Sequence, residues 1–285
     1  MHLQNVSGLF KIDELRNRNQ VFTCHYLHDR TIGIVLERLG ANDPDGHFIV
    51  EKGYKGMQRE VLMPGRHFLW HTTLFAKVLK VPMTVIPAGK VGVLIAQDGR
   101  PLKEGQKIAE EDEIDPGTGK LINMGEKGVR KTLLRPGTYP INTEYFTVEI
   151  HDSLTIEPGK VGVLTRKIGD PAPPDQMLVP QNSPYRGVIE EVIQPGILYL
   201  HPYIYAWEIV DEVAIPEGRV GVVTRKIGKS PPADMKLIER ESEYRGMLKQ
   251  VLEPGTYSLN PYGFDVQVRD AVSLPDGFVR EKARP

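Results

Sequence analysis

One spacing, repeated four times, governs what this chain can fold into. A basic-Gly pair stands at Lys55-Gly56, Lys127-Gly128, Arg186-Gly187 and Arg245-Gly246. A Pro-Gly pair follows each, at Pro64-Gly65, Pro136-Gly137, Pro195-Gly196 and Pro254-Gly255. From glycine to glycine the interval is nine residues every time. A fixed period defines an architecture before any single residue is interpreted, and it marks copies of one structural unit. A third signpost, basic-Val-Gly-Val-aliphatic, occurs at Lys90–Leu94, Lys160–Leu164 and Arg219–Val223, with a weaker version at Thr31–Val35.

The stretches between signposts read as strands. Counted from the Pro-Gly glycine, Phe146, Val148 and Ile150 recur as Tyr205, Trp207 and Ile209 and again as Phe264, Val266 and Val268, each set alternating with polar or small neighbours. That period of two is the mark of a half-buried strand, and these side chains are expected to face a core. The first copy is looser, with Leu74, Ala76 and Val78 inward. Each Pro-Gly pair suits a turn, because proline presets φ and glycine accepts a positive φ at the next position. Further Pro/Gly punctuation at Pro87-Gly89, Pro158-Gly159, Pro216-Gly218 and Pro275-Gly277 sets the expected joints. The chain then divides into an N-terminal segment 1–30, modules 31–89, 90–159, 160–218 and 219–277, and a tail 278–285. The second module is the longest, and its extra residues are placed at 102–124, as a surface loop.

A unit of roughly sixty residues buries too little surface to be stable alone, so neighbouring modules should touch. The joints are too short to be flexible linkers. Helix is expected only over Ile12–Gln20 and Lys107–Glu113. The fold expected is mainly β: an elongated tandem array of four small antiparallel β modules.

Lys and Arg total 36 against 37 Asp and Glu, and the net charge of -1 supplies no global field for nucleic acid or anionic lipid. The single cysteine, Cys24, excludes an internal disulfide framework. No stretch reaches the apolar length of a spanning helix, and charged residues occupy the place of a secretory signal's apolar region. The expected location is the cytoplasm, peripheral to a membrane.

Side chains able to carry chemistry are few. Cys24, His25 and His28 form at best half of a zinc site, and His67 with His71 would share a strand face without converging. Asn42, Asp43, Asp45 and Gly46 faintly suggest a calcium loop, and Glu110, Glu111, Asp112, Glu113 and Asp115 an acidic cluster, yet neither has the full ligand spacing. Gly117-Thr118-Gly119-Lys120 lacks the leading glycine of a phosphate loop and reads as a turn. Asp152, Asp211 and Asp270 recur once per module, which points to a strand-end hydrogen-bond acceptor rather than a site. No catalytic residue, cofactor site or metal site is assigned. Tyr199, Tyr203, Tyr205 and Trp207 make the densest aromatic cluster and are the candidate interaction residues, with core filling as the default reading.

The segments Thr31–Gly40, Gly53–Phe68, Val85–Leu102 and Leu134–Ile150 resemble the stomatin/prohibitin/flotillin (SPFH, or band 7) superfamily, in particular its flotillin-like bacterial branch. The most specific phrase is basic-Gly, nine residues, then Pro-Gly-Thr-Tyr-x-Leu/Ile-Asn. The small tandem modules are also similar to the repeats of the major vault protein. The resemblance covers residues from about 30 to 280. It implies binding or organising of membrane microdomains and assembly into large rings or cages, with no catalytic residues. The expectation is a non-enzymatic scaffold that forms a homo-oligomer and meets a peripheral membrane surface or a membrane-bound protein, with no nucleic-acid partner. The alternative is a monomeric adaptor that uses the 102–124 insertion or an exposed strand edge.

Overall fold

A computed structural model describes residues 23–69, 75–117, 121–174 and 176–271. The expected helix over 12–20, the inward Leu74, His71, most of the N-terminal segment and the tail lie outside these residues. The described chain is all β, with no helix. It falls into two compact units, one running to Ser153 and taking in Tyr199–His201, the other comprising Leu154–Leu198 and the chain from Pro202 onward.

One strand plan recurs four times. A lead strand (Thr23–Leu27, Thr84–Ile86, Leu154–Ile156, Val213–Ile215) precedes a central strand (Thr31–Glu37, Lys90–Ala96, Lys160–Arg166, Arg219–Arg225). Next come a bulged strand (Gly56–Leu62, Gly128–Leu134, Tyr185–Ile193, Gly246–Met247), a return strand (Gly65–Leu69, Gly137–Tyr139, Gly196–Leu198, Gly255–Tyr257) and a closing strand (Ala76–Pro82, Phe146–Asp152, Tyr205–Asp211, Phe264–Asp270). The central strand lies between the bulged and closing strands, all antiparallel. Lead and return strands pair with each other as a separate two-stranded ribbon.

This pairing shifts the module boundary. Thr84–Ile86 pairs with Gly137–Tyr139, so it belongs to the second module although it precedes the punctuation at Pro87-Gly89. Each later copy shows the same displacement. The Pro-Gly pairs mark the corner where the chain leaves the central sheet and joins the ribbon. Gly65, Gly196 and Gly255 open the return strands with φ of 137°, 148° and 154°. That is far more extended than the roughly +80° of the type II turn expected there.

The core sits on the central strands, where runs such as Val91 and Val93, or Val161 and Val163, are fully buried. Burial on both faces explains their unbroken apolar sequence. One face is covered by the ribbon, and the glycine of Val-Gly-Val is needed there. A Cβ at Gly92 or Gly162 would lie 2.7 Å from the Cδ1 of Ile86 or Ile156, and one at Gly221 2.5 Å from that of Ile215. The closing strands are only half buried. Their third inward-facing positions depart from expectation, since Ile150 and Ile209 remain 46% and 43% exposed.

Three further expectations are revised. Lys107–Glu113 is not helical: Ala109 bridges Arg130 and Glu113–Ile114 begins a hairpin with Leu121–Asn123. That hairpin lies between the Ala109 bridge and Gly128, which narrows the insertion to the second half of 102–124. Two of the three recurrent aspartates pair across strands with the basic residue that opens the central strand, Lys90–Asp152 at 2.6 Å and Arg219–Asp270 at 3.1 Å, whereas Lys160 meets Glu157 instead. These pairs are exposed and contribute little to stability.

Candidate functional site

The constant nine-residue interval has a structural cause. In each of the first three copies three residues of the bulged strand stand opposite one residue of the central strand. Met57 faces Leu36 and the next partners are Val61 and Ile34; Val129 faces Ile95 and then Leu133 faces Val93; Val188 faces Thr165 and then Val192 faces Val163. Such a bulge takes carbonyls out of the ladder, and a buried carbonyl left without a donor is costly. The donors come from a single position, the fifth residue after the Pro-Gly glycine of the following copy.

In the first unit, Asn142 Nδ2 donates to the Gln58 carbonyl at 2.9 Å and reaches that of Arg59 at 3.4 Å. In the second unit, Asn260 Nδ2 donates to the Ile189 and Glu190 carbonyls at 2.9 and 3.1 Å. His201, which packs with the first unit, places Nε2 3.0 Å from the Arg130 carbonyl. All three side chains are at least 95% buried. Each asparagine also fixes its own turn, since Asn142 Oδ1 accepts from the Glu144 amide at 3.1 Å and Asn260 Oδ1 from the Tyr262 amide at 3.0 Å. Apolar cover surrounds the Asn142 contact, where Ile49, Ala96 and Tyr145 form one buried cluster flanked by Met57 and Phe146. Burial holds the His201 imidazole below its ordinary pKa, with the nearby His151 acting in the same direction.

A second polar constellation anchors the insertion. The Asp112 carboxylate meets Arg130 Nη2 at 2.8 Å and accepts from the Tyr145 hydroxyl at 2.8 Å, and it also accepts from the Gly125 amide at 2.9 Å. Arg130 Nη1 donates to the Glu110 carbonyl. Glu126, fully buried, accepts from Gln106 Nε2 at 2.7 Å and the Glu110 amide at 2.9 Å. Burial, then the Asp112 charge, raises the Tyr145 hydroxyl well above its ordinary pKa. The hydroxyl therefore stays protonated and serves as a donor to the carboxylate. The Arg130 guanidinium is paired with the Asp112 carboxylate, and the geometry of the cluster fastens the hairpin to the second module.

The sequence candidates disperse. Tyr205 and Trp207 lie on one face of the closing strand Tyr205–Asp211, opposite Arg166 and Leu164, and are half buried. Tyr203 is 37% exposed, and Tyr199 falls in the first unit, beneath the Arg135 guanidinium at 6.0 Å. Cys24 is exposed, and as its strand neighbour His25 occupies the opposite face. His28 packs edge-on against Tyr26. Asp43, Asp45 and His47 bring ligand atoms within 4.8 Å of one another. Asp43 is already committed to the Asp45 and His47 amides, and His47 Nδ1 lies 3.2 Å from Asp98. Members of the acidic cluster likewise have separate partners: Glu110 with Arg100 and Lys103, Glu111 with Thr132, Glu113 with Asn123. No helix among the described residues is long and apolar enough to cross a membrane. No protein-family model matches the chain, and no curated protein sequence matches it either.

Proposed function

We propose that this chain is a non-enzymatic assembly scaffold that self-associates through its β modules, in the manner of an SPFH protein peripheral to a membrane or of a vault-like shell. The observation that carries this reading is the buried bulge-and-donor contact, formed by Asn142, His201 and Asn260 at the same repeat position. A contact built once per copy is a rule for adding modules, and the same rule can operate between chains. The buried polar groups are spent on joining and stapling strands rather than on presenting a nucleophile or a base to a cleft. Light scattering over a wide concentration range tests the scaffold, which predicts masses above the 32.0 kDa monomer. Sedimentation with liposomes tests the membrane part, and failure to pellet with any lipid mixture would remove it.

A second reading has its own observation. The insertion hairpin, fastened by Asp112, exposes Ile114 and Ile122 at 44% and 57%. Apolar side chains on a firmly held hairpin suit a monomeric adaptor that docks another protein there. A constant monomer mass together with partner capture lost on Ile122→Asp would favour this reading.

A further inference from the structure

The closing strand ends the central sheet of every copy, and its outer edge meets no further strand among the described residues. In the fourth copy the open groups can be named. The Lys226 amide donates to the Gly263 carbonyl and the Ala271 amide to that of Gly218. Hydrogen-bonded pairs alternate along an antiparallel ladder, so Asp265, Gln267 and Arg269 also turn their backbone groups toward the central strand. The N–H and C=O of Val266 and Val268 point the other way, and among the described residues they form no hydrogen bond. Such a row of open main-chain groups is a template for another strand. A following copy does not supply it, because the closing strands of the first three copies remain sheet ends although a copy follows each. On this strand Phe264, Val266 and Val268 are half buried, whereas Asp265, Gln267 and Arg269 are exposed.

We propose that the Phe264–Asp270 edge pairs antiparallel with the same edge of a second copy of the chain, about a two-fold axis through Gln267. The occupant is named by the strand's own sequence, Phe-Asp-Val-Gln-Val-Arg-Asp, which is complementary to itself when reversed. Val266 then stands opposite Val268 of the second copy, and each open N–H meets an open C=O. Asp265 stands opposite Arg269 of the second copy, at a position outside the hydrogen-bonded pairs, where cross-strand side chains come closest. The symmetry of the contact forms that ion pair twice. The other closing strands carry no such match. Glu149 and Glu208 stand at the centres of theirs and would each face its own symmetry mate. The first carries Lys77 and Lys80 and ends at Pro82, which has no N–H to give. The inference rests on the scaffold reading and adds to it the edge at which two chains join.

Sedimentation velocity on the full chain tests it through Asp265 and Arg269, both exposed, so that replacing either leaves the fold intact. Arg269→Glu sets two carboxylate pairs across the axis, and Asp265→Lys sets two cation pairs. Each variant alone is expected to associate at least about fivefold more weakly than wild type. Mixed in equal amounts, the two should regain wild-type association, because the new lysine then faces the new glutamate and the native Arg269 the native Asp265. Damage to the fold by either substitution would not be repaired by mixing. Hydrogen exchange on the wild type supplies a second readout that needs no variant: the Val266 and Val268 amides should gain protection as concentration rises. The inference is overturned, with the scaffold left standing, by a wild type that associates while both variants associate equally well or their mixture gains nothing. Association that leaves the Val266 and Val268 amides unprotected overturns it too, and leaves the edge to a strand of another protein. A wild type that stays at 32.0 kDa throughout overturns the inference and the scaffold together.

Discussion

A single side chain at a fixed place in each repeat decides how well the chain's bulged carbonyls are satisfied, and its chemistry is adjustable. Asparagine fills the place twice and histidine once, because each offers an N–H at the required reach. The histidine introduces a pH dependence the asparagines lack. Burial lowers the His201 pKa in the folded chain, so the unfolded chain binds more protons on acidification. The stabilisation it provides is therefore complete above the unfolded value near 6.5 and declines as pH falls toward the depressed folded value. His25 is depressed too, by burial first and then by Lys80 and His67, and adds to the same acid-side loss. Replacing His201 with Asn should flatten its share of the profile while retaining the bond, whereas His201→Ala should cost about 1–3 kcal/mol through an unsatisfied carbonyl. Thermal unfolding between pH 5 and 8 checks both. An equal acid sensitivity in wild type and His201→Asn would show that the imidazole is not the group responsible. The donor itself was visible in the sequence as the last residue of Pro-Gly-Thr-Tyr-x-Leu/Ile-Asn. Its role was not, because spacing marks a conserved offset without saying which backbone group a side chain will meet.

Among the elements, the bulged strand and the insertion were the least legible. Period-two alternation found the closing strands, since Phe146, Val148 and their counterparts lie on ladders. It could not separate lead strands of three residues from the punctuation after them, and so the boundaries fell a few residues late. A bulge also hides from pattern reading, as three extra-ladder residues break the alternation that reveals a strand. The acidic run within the insertion read as solvated charge. One of its members, Asp112, turned out to be the counter-ion of a buried arginine, a pairing set by residues eighteen positions apart. Removing it leaves the Arg130 guanidinium, 3% exposed, without its carboxylate. Asp112→Ala should then destabilise the first unit by about 3–5 kcal/mol. Glu113→Ala, at an exposed position on the same hairpin, should fall within about 0.5 kcal/mol of wild type. Denaturant titration separates these outcomes, and comparable small losses for the two would mean the network does not anchor the hairpin.

For the whole molecule, the repeat that the sequence displayed as a spacing is present as a strand plan with one bulge and one corner per copy. The nine-residue interval is the count of residues needed to pair, bulge, pair again and turn the Pro-Gly corner, and so it tolerates no insertion. Length varies where the chain runs outside that path, as in the hairpin of the second copy. Central to this account is that the bulge of each of the first three copies is closed by the side chain of the next copy. Scalar couplings across hydrogen bonds, measured by NMR on deuterated protein, test this most directly. The account predicts coupling from the Asn142 side-chain amide to the Gln58 carbonyl and from that of Asn260 to the Ile189 carbonyl, with both amides slow to exchange. Absence of these couplings, with Asn142 and Asn260 exchanging as fast as the exposed Asn182, would contradict it.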